Sequence, residues 1–189
     1  MIKVFIRTVL LMLMLSISAF VNAAPAWQID RNNSMITFSA VQNNSPISGT
    51  FTLFMGDINF DPAELKTSHV QITVSTGSVT TSYQEVQETL KTAEWFNIKL
   101  FPDAIFKADK FTQTGNNTFQ ANGTLTLRDK TLPVTLAFVL EEYSKTKAVV
   151  KGTTTIKRTQ FGVGQGEWSK TDGVKDDVQV NFKLVAIRK

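Results

Sequence analysis

Leu132-Pro133-Val134-Thr135-Leu136-Ala137-Phe138-Val139-Leu140 places apolar residues at every second position. Side chains alternate between the two faces of an extended chain, so Leu132, Val134, Leu136, Phe138 and Leu140 share one face. Such a pattern predicts a β-strand with a buried side. Working outward, the same period recurs in Met35–Val41, Thr50–Leu53, Val70–Val74, Phe119–Leu127 and Val178–Ala186. Gly56-Asp57 introduces Ile58-Asn59-Phe60, while Gly115–Asn117, Arg128–Lys130 and Lys170–Gly173 supply turn chemistry. Many alternating strands with one apolar face each predict an antiparallel sheet closed or sandwiched on itself. Closure also removes the exposed edges that long strands such as 131–143 would carry.

One segment departs from period two. Val86, Leu90 and Trp95 stand opposite Glu85, Glu88 and Lys91. This predicts one short amphipathic helical segment near residues 82–96, with Ser82 as a candidate N-cap and Glu85 three residues on. No linker, repeat or low-complexity tract divides the rest.

At the N-terminus, Lys3 and Arg7 precede the apolar run Val9–Leu15, and Val21-Asn22-Ala23 supplies small residues at a cleavage position. Residues 1–23 therefore read as a cleaved signal peptide, and 24–189 as one exported, periplasmic domain. The apolar run is too short to span a bilayer comfortably. Its removal takes two cations and no acid, lowering the formal +4 of the 189-residue chain by two. Cations and acids are interspersed, which argues against a nucleic-acid partner.

The chain contains no cysteine and one histidine, His69. That excludes disulfides, thiol chemistry, thiolate metal sites and any two-histidine metal site. His69 precedes a strand and reads as a polar residue at its entrance. Glu141–Glu142 and Asp176–Asp177 are adjacent pairs, pointing to opposite faces of a strand, which is poor geometry for acid–base work. The run Phe161-Gly-Val-Gly-Gln-Gly-Glu-Trp168 has β-like flanks and lacks the spacing of a dinucleotide cradle, so it reads as a loop rim. Four Asn-x-Ser/Thr matches, at Asn32, Asn43, Asn116 and Asn122, read as asparagine-rich turns. No catalytic constellation emerges, and an enzyme is the least supported class.

Fourteen phenylalanines against two tyrosines supply large rings without a polar handle. Phe38, Phe51, Phe106, Phe119, Phe138 and Phe182 fall at inward positions. They suit either a solidly packed barrel or the wall of an apolar cavity. On composition alone the packed interior is the simpler reading.

Taken in order, several segments resemble the YceI-like family of exported lipocalin-like proteins. They are Trp27–Asp30, Ser34–Phe38, Ile47–Phe51, Gly56–Pro62 with Glu64–Leu65, Ser78–Thr81, Leu90–Phe96, Phe101-Pro102, Ala104–Phe106, Gly123–Leu127, Leu132–Leu136 and Arg158–Gly162. The tail Phe161–Trp168 is similar to a branch that accompanies a membrane-bound b-type cytochrome, which would here be a separate partner.

The resemblance implies a mainly β, single antiparallel lipocalin-like barrel. Its apolar cavity would hold an isoprenoid lipid, either an isoprenoid quinone or a polyprenyl lipid, with no covalent cofactor. It reverses the packed-interior reading. Phe38, Phe51, Leu53, Phe106, Leu125, Phe138 and Phe182 would then line the tube, and Trp95, Phe96, Phe161 and Trp168 the mouth. Arg158 has two readings, a polar contact to the head group or a loop-pinning cation. Gln42 stands where many family members carry a histidine, and Ser82–Gln87 is less ionic than usual. Both features favour a neutral quinone head over a pyrophosphate. A carrier of this kind would touch a membrane surface transiently. The second function class is a non-catalytic module docking on a cytochrome or other redox or stress-response partner.

Overall fold

A computed structural model describes residues 23–189. The expected signal segment 1–23 lies outside the described residues except for Ala23. Among the described residues, eleven strands and one α-helix follow in chain order. The first half comprises β1 (Ala26–Ile29), β2 (Met35–Gln42), β3 (Ser45–Phe51), β4 (Phe54–Asn59), β5 (His69–Ser75) and β6 (Val79–Thr81). After α1 (Gln84–Lys91) come β7 (Asp103–Gly115), β8 (Thr118–Leu127), β9 (Lys130–Tyr143), β10 (Lys147–Lys157) and β11 (Asp177–Arg188).

All strand pairs are antiparallel, and the sheet closes because β1 pairs with both β4 and β11. The ring β1-β4-β5-β7-β8-β9-β10-β11 is an eight-strand barrel. β2, β3 and β6 prolong β1, β4 and β5 respectively towards one end. Three neighbouring staves are thus each broken once. The first break is the 3-10 turn Arg31–Asn33, where the Asp30 carboxylate accepts from Asn32 N at 3.1 Å. Ser34 Oγ then accepts from Val185 N at 2.9 Å, keeping the broken stave attached to β11. At the second and third breaks, Leu53 N donates to Ser78 Oγ at 3.0 Å and Ser78 Oγ donates to Ser75 O at 2.7 Å. Side-chain hydroxyls replace ladder bonds where the backbone turns away from its neighbour.

The hairpin turn between β2 and β3 places Asn43 and Asn44 at φ of 48° and 62°. Two consecutive left-handed residues form the connection that suits a two-residue hairpin, and asparagine tolerates that conformation better than most residues.

One end of the barrel is plugged. Trp27, Phe60, Phe119 and Leu140 are buried there, with Phe111 and Phe138 packed against them. Phe119 and Phe138 stack at 5.5 Å, and Phe60 meets Phe119 edge-on at 5.8 Å. Trp27 Nε1 donates to Phe60 O at 3.0 Å, so the buried indole satisfies its polar edge within the plug. The opposite end carries α1, the turns that follow it and the long loop between β10 and β11.

Two expectations are corrected. The short helix lies within the expected 82–96 segment, running from Gln84 to Lys91, but Ser82 does not cap it. Tyr83 occupies the cap position without a side-chain bond, while Thr81 Oγ1 takes up the local turn by donating to Tyr83 O at 2.7 Å. Trp95 stands five residues after Leu90, off the three-to-four residue stripe, and lies in the turn after the helix. The stretch 50–53 is not one alternating strand: Thr50 and Phe51 end β3, and Thr52-Leu53 form the bend before β4. In addition, β10 and the second half of β7 were not evident from alternation. The Thr153-Thr154-Thr155 run of β10 offers no hydropathic contrast, and the second half of β7 is almost entirely exposed.

Candidate functional site

The barrel encloses a cavity of about 450 Å³, within the range of small-molecule sites. Its inner wall is built from period-two positions: Ile36 and Phe38 on β2, Ile72 and Val74 on β5, Phe106 on β7, Leu125 on β8, Leu136 on β9, Ile156 on β10, and Val180 and Phe182 on β11. Ala40, Gln42 and Ile47, at the tip of the β2–β3 hairpin, and Glu85, Val86 and Thr89 on α1 also line it. The wall is therefore overwhelmingly apolar, with its polar groups few and placed.

Of the residues expected to line the tube, Phe38, Phe51, Phe106, Leu125 and Phe182 do so, as do Trp95, Phe96 and Trp168 of the expected mouth. Phe51 links two of these groups, its ring lying 5.8 Å from Phe38 and 5.9 Å from Phe96. Trp95 packs on Trp168 at 5.6 Å, so the turn after α1 and the β10–β11 loop meet through two indoles.

Three expected residues lie elsewhere. Leu53 sits at the β3–β4 bend and is 52% exposed, because the bend turns its side chain out of the alternating register. Phe138 belongs to the aromatic plug at the closed end. Phe161 is 2% exposed and packs in the core behind the mouth without lining the cavity.

Arg158 lines the cavity yet is only 1% exposed, and five main-chain carbonyls hold its guanidinium. Nε donates to Lys175 O at 3.2 Å, Nη1 to Val163 O at 2.9 Å and Gly164 O at 3.4 Å. Nη2 donates to Lys170 O and Val174 O, both at 2.8 Å. The guanidinium also lies 5.7 Å over the Trp95 ring. Burial pushes the Arg158 pKa down, and the Asp176 carboxylate opposes that shift. Of its two sequence readings, the geometry is that of the loop-pinning cation. No N–H remains for a ligand.

This fold of the loop also accounts for its glycines. Gly164 and Gly166 have φ of 79° and 61°, and a Cβ on them would collide with the Arg158 guanidinium and the Glu94 carboxylate respectively. Glu94 O accepts from both Gly164 N and Gln165 N at 2.8 Å, tying the loop to the turn after α1. The glycine spacing serves close backbone approach, not a phosphate.

Sequence reasoning missed Arg128. It sits at φ 55° in the β8–β9 turn and is buried, and its Nη1 donates to Ala93 O at 2.9 Å and also to Trp95 O. Burial lowers its pKa, while Asp129 works in the opposite direction. It positions the segment that carries Trp95. The turn Arg128–Asp129–Lys130 gave no signal of that role, because its partners are more than thirty residues away. The aliphatic wall residues outside β10 were legible as alternating positions, whereas the α1 contribution required knowing where the helix docks. Among the described residues there is no cluster of three potential metal ligands.

A closed antiparallel barrel with an apolar internal cavity, plugged at one end and framed by a helix and a loop at the other, defines a lipocalin-like binding fold. Within that class, this chain belongs to the YceI-like family, whose domain model matches residues 27–186. A UPF0312 protein of Ectopseudomonas mendocina (strain ymp) is 33% identical over 120 residues, covering 61% of this chain and 63% of the relative. The match thus spans under two thirds of that relative's length. Among solved structures, Burkholderia cenocepacia BcnA is similar, with a TM-score of 0.79 and 30% identity over 83% of this chain and 98% of that one. A polyisoprenoid binding domain from Saccharophagus degradans, implicated in plant cell wall breakdown, shares the fold with a TM-score of 0.69. Its identity is 13%, and the match covers 87% of this chain and 99% of that one.

Proposed function

We propose that this protein is a non-catalytic, exported carrier that holds an isoprenoid lipid, preferentially an isoprenoid quinone, in its barrel cavity in the periplasm. The observation that carries the reading is the cavity of about 450 Å³ walled by aliphatic and phenylalanine side chains inside a closed barrel. A flexible polyprenyl tail needs a dry apolar wall and no directional contact. Its transfer from water is favourable by roughly 25 cal/mol per Å² of buried apolar surface, before association entropy is subtracted. Similarity to a polyisoprenoid binding domain supports the same ligand class. Export rests on the basic, apolar and small-residue pattern of residues 1–23.

The open end suits transient contact with a membrane surface. Tyr83, beside α1, and Leu100, in the turns that follow it, are 66% and 69% exposed and offer apolar groups at the same end as the mouth. A membrane b-type cytochrome, as the sequence resemblance suggests, would be a docking partner separate from this chain.

Native mass spectrometry of the protein purified from its own periplasm, followed by organic extraction, tests the proposal. A stoichiometric isoprenoid adduct with a quinone ultraviolet spectrum is the expected result. A clean apo mass that persists after incubation with a short-tailed isoprenoid quinone overturns the carrier reading and leaves the docking module in its place.

A further inference from the structure

We infer that Glu85 makes this mouth selective for an uncharged lipid head group and against a phosphorylated one; the inference rests on the carrier reading above. Among the described residues lining the cavity, only Glu85 and Arg158 are ionisable. The cation of that pair is fully engaged by five main-chain carbonyls and pins the loop. The carboxylate stands on the first turn of α1 with no salt-bridge partner within 4.0 Å among the described residues. Lys91, the basic residue of the same helix, is instead paired with Glu88 at 2.9 Å. A lipid whose tail fills the barrel therefore leaves its head beside an uncompensated negative charge.

The remaining polar groups of the wall are neutral, among them the Trp95 indole N–H, a buried donor without a hydrogen-bond partner among the described residues. Thr76 Oγ1 is engaged with Phe101 O and Pro102 O, at 3.0 and 2.8 Å, and Thr154 Oγ1 donates to Thr135 O at 2.9 Å. Gln42 and Thr89 are left at the rim, both neutral, one a carboxamide and one a hydroxyl. A carboxamide donates to and accepts from a carbonyl or alcohol, and a hydroxyl does the same. Neither compensates a phosphate. Repulsion from one unpaired charge is enough to discriminate where attraction to both candidate heads is similar.

The test uses two probes with one tail, geranylgeraniol and geranylgeranyl monophosphate, titrated by tryptophan fluorescence into the delipidated protein at low salt. Two like charges a few ångströms apart at a solvated rim change an affinity by about tenfold. The ratio of alcohol to phosphate affinity should therefore fall by about tenfold in E85Q and further in E85K. Glu85 is exposed, so both variants keep the fold. Added salt should narrow the wild-type ratio and leave that of E85Q nearly unchanged. A ratio equal in wild type and E85Q, with both probes bound, overturns the inference and leaves the carrier intact. Failure of both probes to bind the wild type overturns the carrier reading and this inference together.

Discussion

Arg158 Nη2 donates to the main-chain carbonyl of Val174 at 2.8 Å, joining the start of the β10–β11 loop to its end. With four further carbonyls on the same guanidinium, the loop that borders the cavity is organised around a buried cation. The arrangement has no carboxylate in hydrogen-bond contact; main-chain dipoles satisfy the charge, and Asp176 acts on it only through space. Arg128 plays a parallel part beside it, holding the carbonyls of Ala93 and Trp95 in the turn after α1.

Replacing Arg158 with methionine keeps much of the side-chain length and removes every donor. The carbonyls of Val163 and Val174 lose their charged partner in a buried setting, where an unmet hydrogen bond to a charged group costs about 1.5–3 kcal/mol. R158M should lose on the order of 3 kcal/mol or more in urea unfolding. Arg158→Lys should recover only part, since one ammonium cannot reach five acceptors in a fork geometry. Wild-type stability in R158M would contradict the pinning role.

Ala104 on β7 lines the cavity and pairs with Val74 across the β5–β7 ladder. Ala104→Phe projects a ring into existing space and not into packed atoms. Lipid recovered by organic extraction should fall several-fold while the melting temperature holds or rises slightly, because a filled void regains lost contacts. Unchanged lipid content would place the ligand outside this cavity.

At the closed end the expected response is the reverse. Phe119 is 2% exposed and touches Phe60 and Phe138. Phe119→Ala should cost about 3–5 kcal/mol of stability. Phe138→Ala should also act mainly through stability, by opening the same aromatic plug. A folded F138A protein with wild-type stability and reduced lipid would move Phe138 back to the cavity wall.

Asp176 accepts from Thr159 N at 3.0 Å and Thr159 Oγ1 at 2.8 Å. Burial pushes its pKa up, but the Thr159 bonds, with Lys157 and Arg158 nearby, outweigh it and hold the carboxyl below its usual range. A depressed folded-state pKa stabilises the fold above the ordinary aspartate value of about 3.9, and that contribution disappears as pH falls through the lower folded value. Asp176→Asn should flatten the acid limb of the stability–pH curve below about pH 4 and leave its slope near neutrality unchanged. An identical acid limb in both proteins would remove Asp176 from the linkage.

The barrel was legible in this sequence because strand alternation is local. Ile36 and Phe38, Ile72 and Val74, and Phe182 announce their inward face through neighbours two residues away, and those positions form the cavity wall. Alternation failed where it lost contrast, as in the threonine run of β10, or where the chain bent, as at Leu53. It also could not separate tube from plug. Phe106 and Phe138 carry the same inward signal, yet one faces the cavity and the other caps the barrel, because only closure sets how far along the axis each lies.

What the sequence determined by itself is the β class and an apolar interior, since these follow from periodicity and composition. Tertiary structure alone decided the fate of the polar groups. Arg158 reads equally as ligand contact or loop pin until the 158–176 loop returns and five carbonyls converge on it. Glu85 reads as a solvated helix residue until α1 docks at the barrel end and places it on the cavity rim. A side chain's apolar surface is recorded in its own identity, but the partners of a charge are set by distant backbone, and folding alone brings them together.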